Sequence, residues 1–162
     1  MKFADFHAGQ VIEAGPFHLT QDEVLRFATT YDPQWFHTNP EAAAQGPFGG
    51  LIASGWQTCG IAMRLLAQSA LAGSESFASP GIAYIRFPHP VRPGDDLSVR
   101  GTVLETRRSA SKPDLGILRW RWQLFNQAGT EVLDLECTSL FDLKPLMHTT
   151  MHNLQHNRME TS

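Results

Sequence analysis

Hydrophobic and polar residues follow two different patterns along the chain, and the change comes near Ile82. Before this residue, apolar side chains recur at helical spacing or in nearly continuous runs. After it, they alternate with polar side chains, which is typical of half-buried strands. The first half therefore predicts helices, and the second half predicts an antiparallel sheet.

The first half carries two signals for the start of a helix. Residues 20–23 (TQDE) have the form of a capping box and predict a helix that begins near Thr20. Asp32 precedes a proline, so we expect this helix to end there and Asp32 to be extended or in a turn. Asn39 and Pro40 predict a second, short helix. Ahead of both, residues 11–19 predict an extended segment that Gly-Pro interrupts.

A long apolar segment follows the glycine-rich loop GPFGG and runs from about Leu51 to Leu71. It has small and apolar residues on nearly all sides and a single charge, Arg64. This pattern predicts a helix that is buried on most of its surface.

The second half predicts strands separated by turns. Residues 92–95 (RPGD) form the first predicted turn, and the strands at 116–126 and 131–143 flank a second turn, NQAGT. We interpret this half as an antiparallel meander. Helices and sheet together predict one α+β domain over residues 1–144, in which the sheet wraps around the long helix.

Residues 145–162 are polar and rich in His, Met, Thr and Asn, so we expect a solvated tail appended to the domain. His148, His152 and His156 recur every four residues, a spacing that would place them on one face of a helix that could bind a transition metal. No carboxylate or cysteine stands at matching spacing. We therefore favour a tail without a metal site.

Composition narrows the class of protein. The 162 residues are 42% hydrophobic and 18% charged, which suits a single soluble domain. A net charge of −3 argues against a general nucleic-acid binder. The two cysteines lack the spacing of a zinc site and favour a reducing, cytoplasmic setting. No signal-peptide core or membrane-length apolar run is present, so we expect neither a membrane nor a nucleic-acid partner.

An acid/base pair stands in the segment YDPQWFHTNPEAAAQGPFGGLIASGW (31–56). Asp32 and His37 are separated by four residues and lie among aromatic residues, and both are good proton donors and acceptors when sheltered from water. The glycines behind them lead into the predicted long helix, where a backbone amide can donate to an oxyanion. The structural alternative is a helix-capping Asp, a surface His and glycines that shape a loop.

The order YDPQ, HTNPE, GPFGGLIASGW, PVRPGD and NQAGTEV resembles the MaoC-like acyl dehydratases, relatives of the (R)-specific enoyl-CoA hydratases, which have the hotdog fold. The resemblance extends from about Phe3 to Leu143. It implies that Asp32 and His37 are catalytic and that the Gly55 amide forms an oxyanion hole. Two features differ from the family. The family more often has the signature D-x-N-P-x-H, whereas this chain has PQWF between Asp32 and His37. The family often has His before the glycine of the long helix, whereas this chain has Ser54.

The resemblance implies a hydro-lyase of fatty acid metabolism that adds water reversibly across the α,β double bond of an acyl-CoA thioester. It implies no metal and no cofactor other than the coenzyme A of the substrate. Ser54, Trp56 and Phe48 are expected to contact the substrate, although aromatic residues at a helix start are also commonly core. The candidate cations for the phosphates, each of which could instead be simply solvated, are Arg86, Arg92, Arg107, Arg108 and Lys112.

Two other functions stay open on the sequence. A thioesterase on the same fold would direct water at the thioester carbonyl, and a non-catalytic subunit would only bind the acyl thioester. Whichever function is correct, we expect a homodimer or a higher homo-oligomer. A sheet around one helix leaves an edge and a face to be covered, and hotdog domains of the resembled family pair into dimers.

Overall fold

The computed structural model describes residues 1–144, and its framework is a five-stranded antiparallel sheet. The strands in chain order are β1 (Val11–His18), β2 (Ser76–Arg86), β3 (Asp96–Arg108), β4 (Leu115–Phe125) and β5 (Glu131–Asp142). Their order across the sheet is β1-β3-β4-β5-β2. The predicted α+β class is confirmed, and β3, β4 and β5 form a meander as expected.

β2 does not pair with β3, which corrects the prediction that the whole second half is a meander. It pairs with β5 at the far edge of the sheet, where Ile85 lies opposite Leu135. The chain between β2 and β3 contains Pro88, Pro90 and Pro93, which lack the N–H groups that a hairpin ladder needs. This connection therefore crosses the sheet instead of closing a hairpin.

Four α-helices accompany the sheet in residues 1–144. They are α1 (Gln21–Tyr31), α2 (Trp35–Thr38), α3 (Pro40–Ala44) and α4 (Gly55–Leu66), which continues as a π-helical stretch, Ala67–Leu71. Thr20 caps α1 by accepting the Glu23 N–H, and the Glu23 side chain accepts the Thr20 N–H. Asn39 caps α3 by accepting the Ala42 N–H. Both predicted helix starts are confirmed, whereas the one-turn helix α2 was not predicted.

The long helix begins later than predicted. Residues 51–54 carry no helix, and the Ala53 N–H donates to the Val91 carbonyl at 2.8 Å, which ties this stretch to the turn before β3. Ser54 then caps the helix, because its hydroxyl accepts the N–H two residues further on. The helix therefore starts at Gly55.

The core lies between α4 and one face of the sheet. Ile61, Ala62, Leu65 and Leu66 form the buried side of α4, together with two polar residues. They belong to one hydrophobic cluster with alternate residues of the strands, among them Leu97, Val99, Leu118, Trp120, Trp122 and Leu135. The other side of α4 is open in the single chain, where Trp56 is 65% and Met63 41% exposed. The prediction of a helix buried on most sides is therefore wrong for one chain alone.

No helix within residues 1–144 is long and apolar enough to cross a membrane. The predicted tail at 145–162, with its three histidines, lies outside the described residues.

Candidate active site

Local structure brings the predicted acid/base pair to the start of α4. Asp32 ends α1 with φ −149° and ψ 68°, a non-helical conformation that its place before a proline predicted. Three residues later α2 begins, and its single turn carries His37. Ser54, the cap of α4, donates a hydrogen bond to Asp32, which places Gly55 beside the pair.

His37 is 5% exposed and has a defined orientation. Its Nδ1 lies 2.8 Å from the carbonyl oxygen of Ile52, and its Nε2 lies 3.3 Å from Oδ2 of Asp32. A carbonyl oxygen can only accept, so Nδ1 carries a hydrogen and Nε2 is the nitrogen that gains or loses a proton. His37 therefore turns its titrating nitrogen towards the carboxylate.

Asp32 accepts hydrogen bonds at both oxygens. Gln34 Nε2 donates to Oδ1 and Ser54 Oγ donates to Oδ2, each at 2.7 Å. The bond from Gln34, then the bond from Ser54 and the nearby His37, hold the pKa of Asp32 below its ordinary value. The carboxylate is therefore ionised at neutral pH.

Gly55 is the first residue of α4, a position whose N–H has no acceptor within its own helix and where the helix dipole favours negative charge. The ring of Phe87, 49% exposed, lies directly against it. A Cβ at position 55 would come 2.6 Å from Cζ of Phe87, so glycine alone permits this approach.

The predicted substrate-contacting residues fall into two places. Ser54 is fully buried, and Trp56 and Phe48 are 65% and 40% exposed near the start of α4. Arg92 lies beside Phe48, because its Nη2 donates to the Phe48 carbonyl at 2.6 Å. Arg86 instead lies over the ring of a β2 tyrosine, with Nη1 4.0 Å from a carboxylate of β5. Substrate contact by these five residues stays a prediction.

The remaining candidate cations lie on or near the end of β3. Arg107 pairs with Glu105 at 3.0 Å, and Arg108 donates to the Pro113 carbonyl. Lys112 is exposed in the following turn. No contact links any of the three to Asp32 or His37 in the described part of the chain.

Sequence reasoning did not identify Gln34, Ile52 or Phe87 as parts of the site. Gln34 stands within the Asp–His interval, so its closeness to Asp32 was a usable signal. The Ile52 carbonyl stands 15 residues after His37, which it contacts. The Phe87 ring comes from the end of β2 and contacts Gly55 of α4. No local pattern marks either contact. They could be found only in three dimensions.

Other reactive groups are not assembled here. Within residues 1–144, no group of three or more His, Cys, Asp or Glu residues is placed to hold a metal ion. Burial raises the pKa of the Cys59 thiol to about 11 and that of Cys137 to about 12, so both stay protonated at neutral pH and are poor nucleophiles.

Comparisons with known proteins identify the family and the fold. A family model described as MaoC like domain matches residues 4–117. The chain is 33% identical over 140 residues to the uncharacterized protein YdeM of Bacillus subtilis, across 86% of this chain and 98% of that one. It is 44% identical over 88 residues to the 3-hydroxyacyl-thioester dehydratase Z of Mycobacterium tuberculosis, a match that spans 53% of this chain and only 58% of the relative. The crystal structure of a MaoC-like dehydratase from Rhodospirillum rubrum aligns with a TM-score of 0.81 and 36% identity, covering 88% and 97% of the two chains.

Proposed function

Since the chain belongs to the MaoC-like domain family, we propose that it adds water to, or removes water from, the α,β double bond of an acyl-CoA thioester. The observation that carries this proposal is the sheltered pair of Asp32 and His37, in which a titrating nitrogen lies 3.3 Å from an ionised carboxylate. The coenzyme A portion belongs to the substrate, and the reaction requires no further cofactor. In cells, the two free cysteines favour a cytoplasmic enzyme.

The proposed hydration uses Asp32 and His37 to bind one water molecule. As the water oxygen forms a bond to the β-carbon, one of the two groups takes a proton from it. The π electrons of the double bond move towards the thioester carbonyl, and the α-carbon receives a proton from the other group. Asp32 and His37 act as one acid/base unit, because Nε2 of His37 lies 3.3 Å from Oδ2 of Asp32.

The Gly55 N–H supplies the electrophilic half of the site. During hydration, negative charge builds up on the thioester oxygen as an enolate. A fixed N–H at the start of a 12-residue helix stabilises that oxygen more strongly in the transition state than in the substrate. Ser54 joins this amide to the acid/base pair through its bond to Asp32.

We also propose that the protein works as a homodimer. The open side of α4 exposes Trp56 and Met63, and the edge strand β2 exposes Phe77 and Ile82, which are 60% and 48% exposed. An apolar helix face and an unpaired strand edge are surfaces that a second copy can cover. Such an arrangement would also enclose the start of α4 and keep the acyl chain away from water.

An assay with a short enoyl-CoA tests the proposed reaction. We expect the enoyl absorbance to fall without release of free thiol, because water is added to the double bond and the thioester stays intact. Thiol release without hydration would identify a thioesterase instead. Binding of the enoyl-CoA without any turnover would identify a non-catalytic subunit.

A further inference from the structure

Gln34 and Ser54 each hold one oxygen of Asp32, and neither side chain takes up or gives up a proton in the proposed reaction. We propose that they are positioning residues, which fix the rotation of the carboxylate so that Oδ2 faces His37. The effect on turnover rests on the proposed function, whereas the effect on Asp32 itself does not. The geometry of the two residues carries the proposal.

Ser54 is fixed from both sides. It is fully buried, its Oγ accepts the Trp56 N–H at 3.2 Å, and it donates to Oδ2 of Asp32 at 2.7 Å. Because a hydroxyl has one hydrogen and here accepts from the backbone, its hydrogen is directed to the carboxylate. One side chain thus caps α4 and anchors Asp32, which sets the distance from the carboxylate to the Gly55 N–H.

Backbone hydrogen bonds to Asp32 and His37 fix the position of Gln34. Its N–H donates to the Asp32 carbonyl at 2.8 Å, and its carbonyl accepts the His37 N–H at 2.9 Å. From this position, Nε2 reaches Oδ1 of Asp32 at 2.7 Å. Gln34 stands within the Asp–His interval, so this interval itself supplies a donor to the carboxylate of Asp32.

The two donors are neutral, which matters for the chemistry. Around Asp32, the contacts are Gln34 ahead of α2, Ser54 at the start of α4 and His37 on α2, and His37 alone among them is titratable. In the part of the chain that the structure describes, two neutral hydrogen bonds therefore keep Asp32 ionised without a permanent cation that would neutralise it. Loss of either donor should raise the pKa of Asp32 and let its carboxylate rotate.

The test compares Gln34→Ala and Ser54→Ala with the wild-type protein. We expect the pKa of Asp32, followed by NMR of its carboxyl carbon, to rise in both variants. We expect kcat for hydration to fall by about 10–100-fold with KM little changed, and the acidic limb of the pH–rate profile to move to higher pH. Gln34→Asn and Ser54→Thr keep a donor of the same kind and should restore part of kcat.

Two matched controls remove nearby hydroxyls that do not touch Asp32. Thr38→Ala removes a bond to the Gln34 carbonyl, and Thr58→Ala removes a buried bond to the Ser54 carbonyl. Both should leave the Asp32 pKa and the pH profile unchanged. Should Ser54→Ala unfold, Gln34→Ala carries the test, because Gln34 is exposed.

An unchanged Asp32 pKa in Gln34→Ala and in folded Ser54→Ala would overturn the positioning role, whatever the activity. A raised pKa in a protein that hydrates no enoyl-CoA would uphold the positioning role and refute the proposed function. The two failures are thus distinguishable.

Discussion

Two sheltered aspartates, Asp32 beside α4 and Asp134 on β5, show how the same residue type serves different purposes. Their side chains are 18% and 7% exposed, and both have a pKa below the ordinary value. Asp134 lies 2.7 Å from Nε of Arg121 and accepts from the Tyr84 hydroxyl at 3.1 Å. The hydrogen bond from Arg121 is the main cause of its lowered pKa.

Within residues 1–144, no guanidinium contacts Asp32. Its donors are the neutral Gln34 and Ser54, and the ionisable side chain beside it is His37. Arginine keeps its proton throughout the physiological range, whereas histidine exchanges one near neutral pH. The pair of Arg121 and Asp134 therefore joins β4 to β5. The pair of Asp32 and His37 contains the kind of side chain that the proposed proton transfer requires.

The largest expected effect separates the two aspartates by activity. Asp32→Asn should lower kcat for enoyl-CoA hydration by about 10³–10⁴-fold while the protein still folds, because an amide cannot take up the proton. Asp134→Asn should leave kcat within about twofold, because Asp134 contacts neither Asp32 nor His37. Its neighbour Arg86, a predicted substrate contact 4.0 Å away, would affect KM instead. Steady-state kinetics and circular dichroism on both variants check this. Equal losses of activity would remove the distinction.

A second comparison uses two histidines, each paired with an aspartate. His37→Ala should lower kcat by about 10²–10³-fold, because it removes half of the acid/base unit. His18 pairs with Asp96 at 2.8 Å, but their side chains are 61% and 48% exposed. His18→Ala should change kcat little and unfolding free energy by about 0–1 kcal/mol. A comparable loss of kcat in both variants would contradict this account, because it would show that burial of the histidine–aspartate pair makes no difference to activity.

Gly55 can be compared with Gly60 on the same helix. Gly55→Ala should lower kcat/KM by about 10–100-fold, because the new methyl group displaces the Phe87 ring that lies 2.6 Å from its position. At Gly60, nothing lies within 4 Å of an added Cβ. Within one chain, Gly60→Ala should therefore stabilise the helix by about 0.5–1 kcal/mol. Steady-state kinetics measure the first effect, and urea unfolding measures the second. Full activity of Gly55→Ala would show that the close contact between Gly55 and the Phe87 ring is not needed for turnover.

The last expected effect concerns stability instead of activity, as a pH dependence at Asp134. Because the folded pKa is lowered, its stabilisation is complete above the ordinary value of 3.8 and is lost as the pH falls through the folded pKa. Asp134→Asn should thus lower the free energy of unfolding by about 1–2 kcal/mol at neutral pH, since Arg121 is partly solvated. The difference from wild type should shrink below about pH 4. Urea unfolding at several pH values measures it, and a constant difference would contradict the assignment.

The sequence predicted features whose causes are local. Thr20 and Asn39 cap helices through bonds within a few residues, and the proline after Asp32 sets its backbone. The resemblance to the MaoC-like acyl dehydratases and the α+β hotdog fold are confirmed by the family match and by the structural alignment. Motif order and local propensity were sufficient for these results.

Features with long-range causes were missed. β2 lies at the far edge of the sheet because it pairs with β5, about fifty residues later, and no hairpin signal reports such a pairing. The start of α4 depends on Val91 from a distant turn, and the Phe87 ring reaches Gly55 from the end of β2. Substrate contact by Ser54 stays a prediction, and its burial and its bond to Asp32 appear only in the folded chain.

The central claim is that Asp32 and His37 direct water at the β-carbon of an acyl thioester. Incubating the wild-type protein with a short enoyl-CoA in water labelled with heavy oxygen tests it directly, with mass spectrometry of the products. We predict that the label enters the hydroxyl group of an intact 3-hydroxyacyl-CoA, and that Asp32→Asn abolishes its incorporation while Asp134→Asn does not. Label found only in the carboxylate of a released acid, or incorporation that survives Asp32→Asn, would contradict the account.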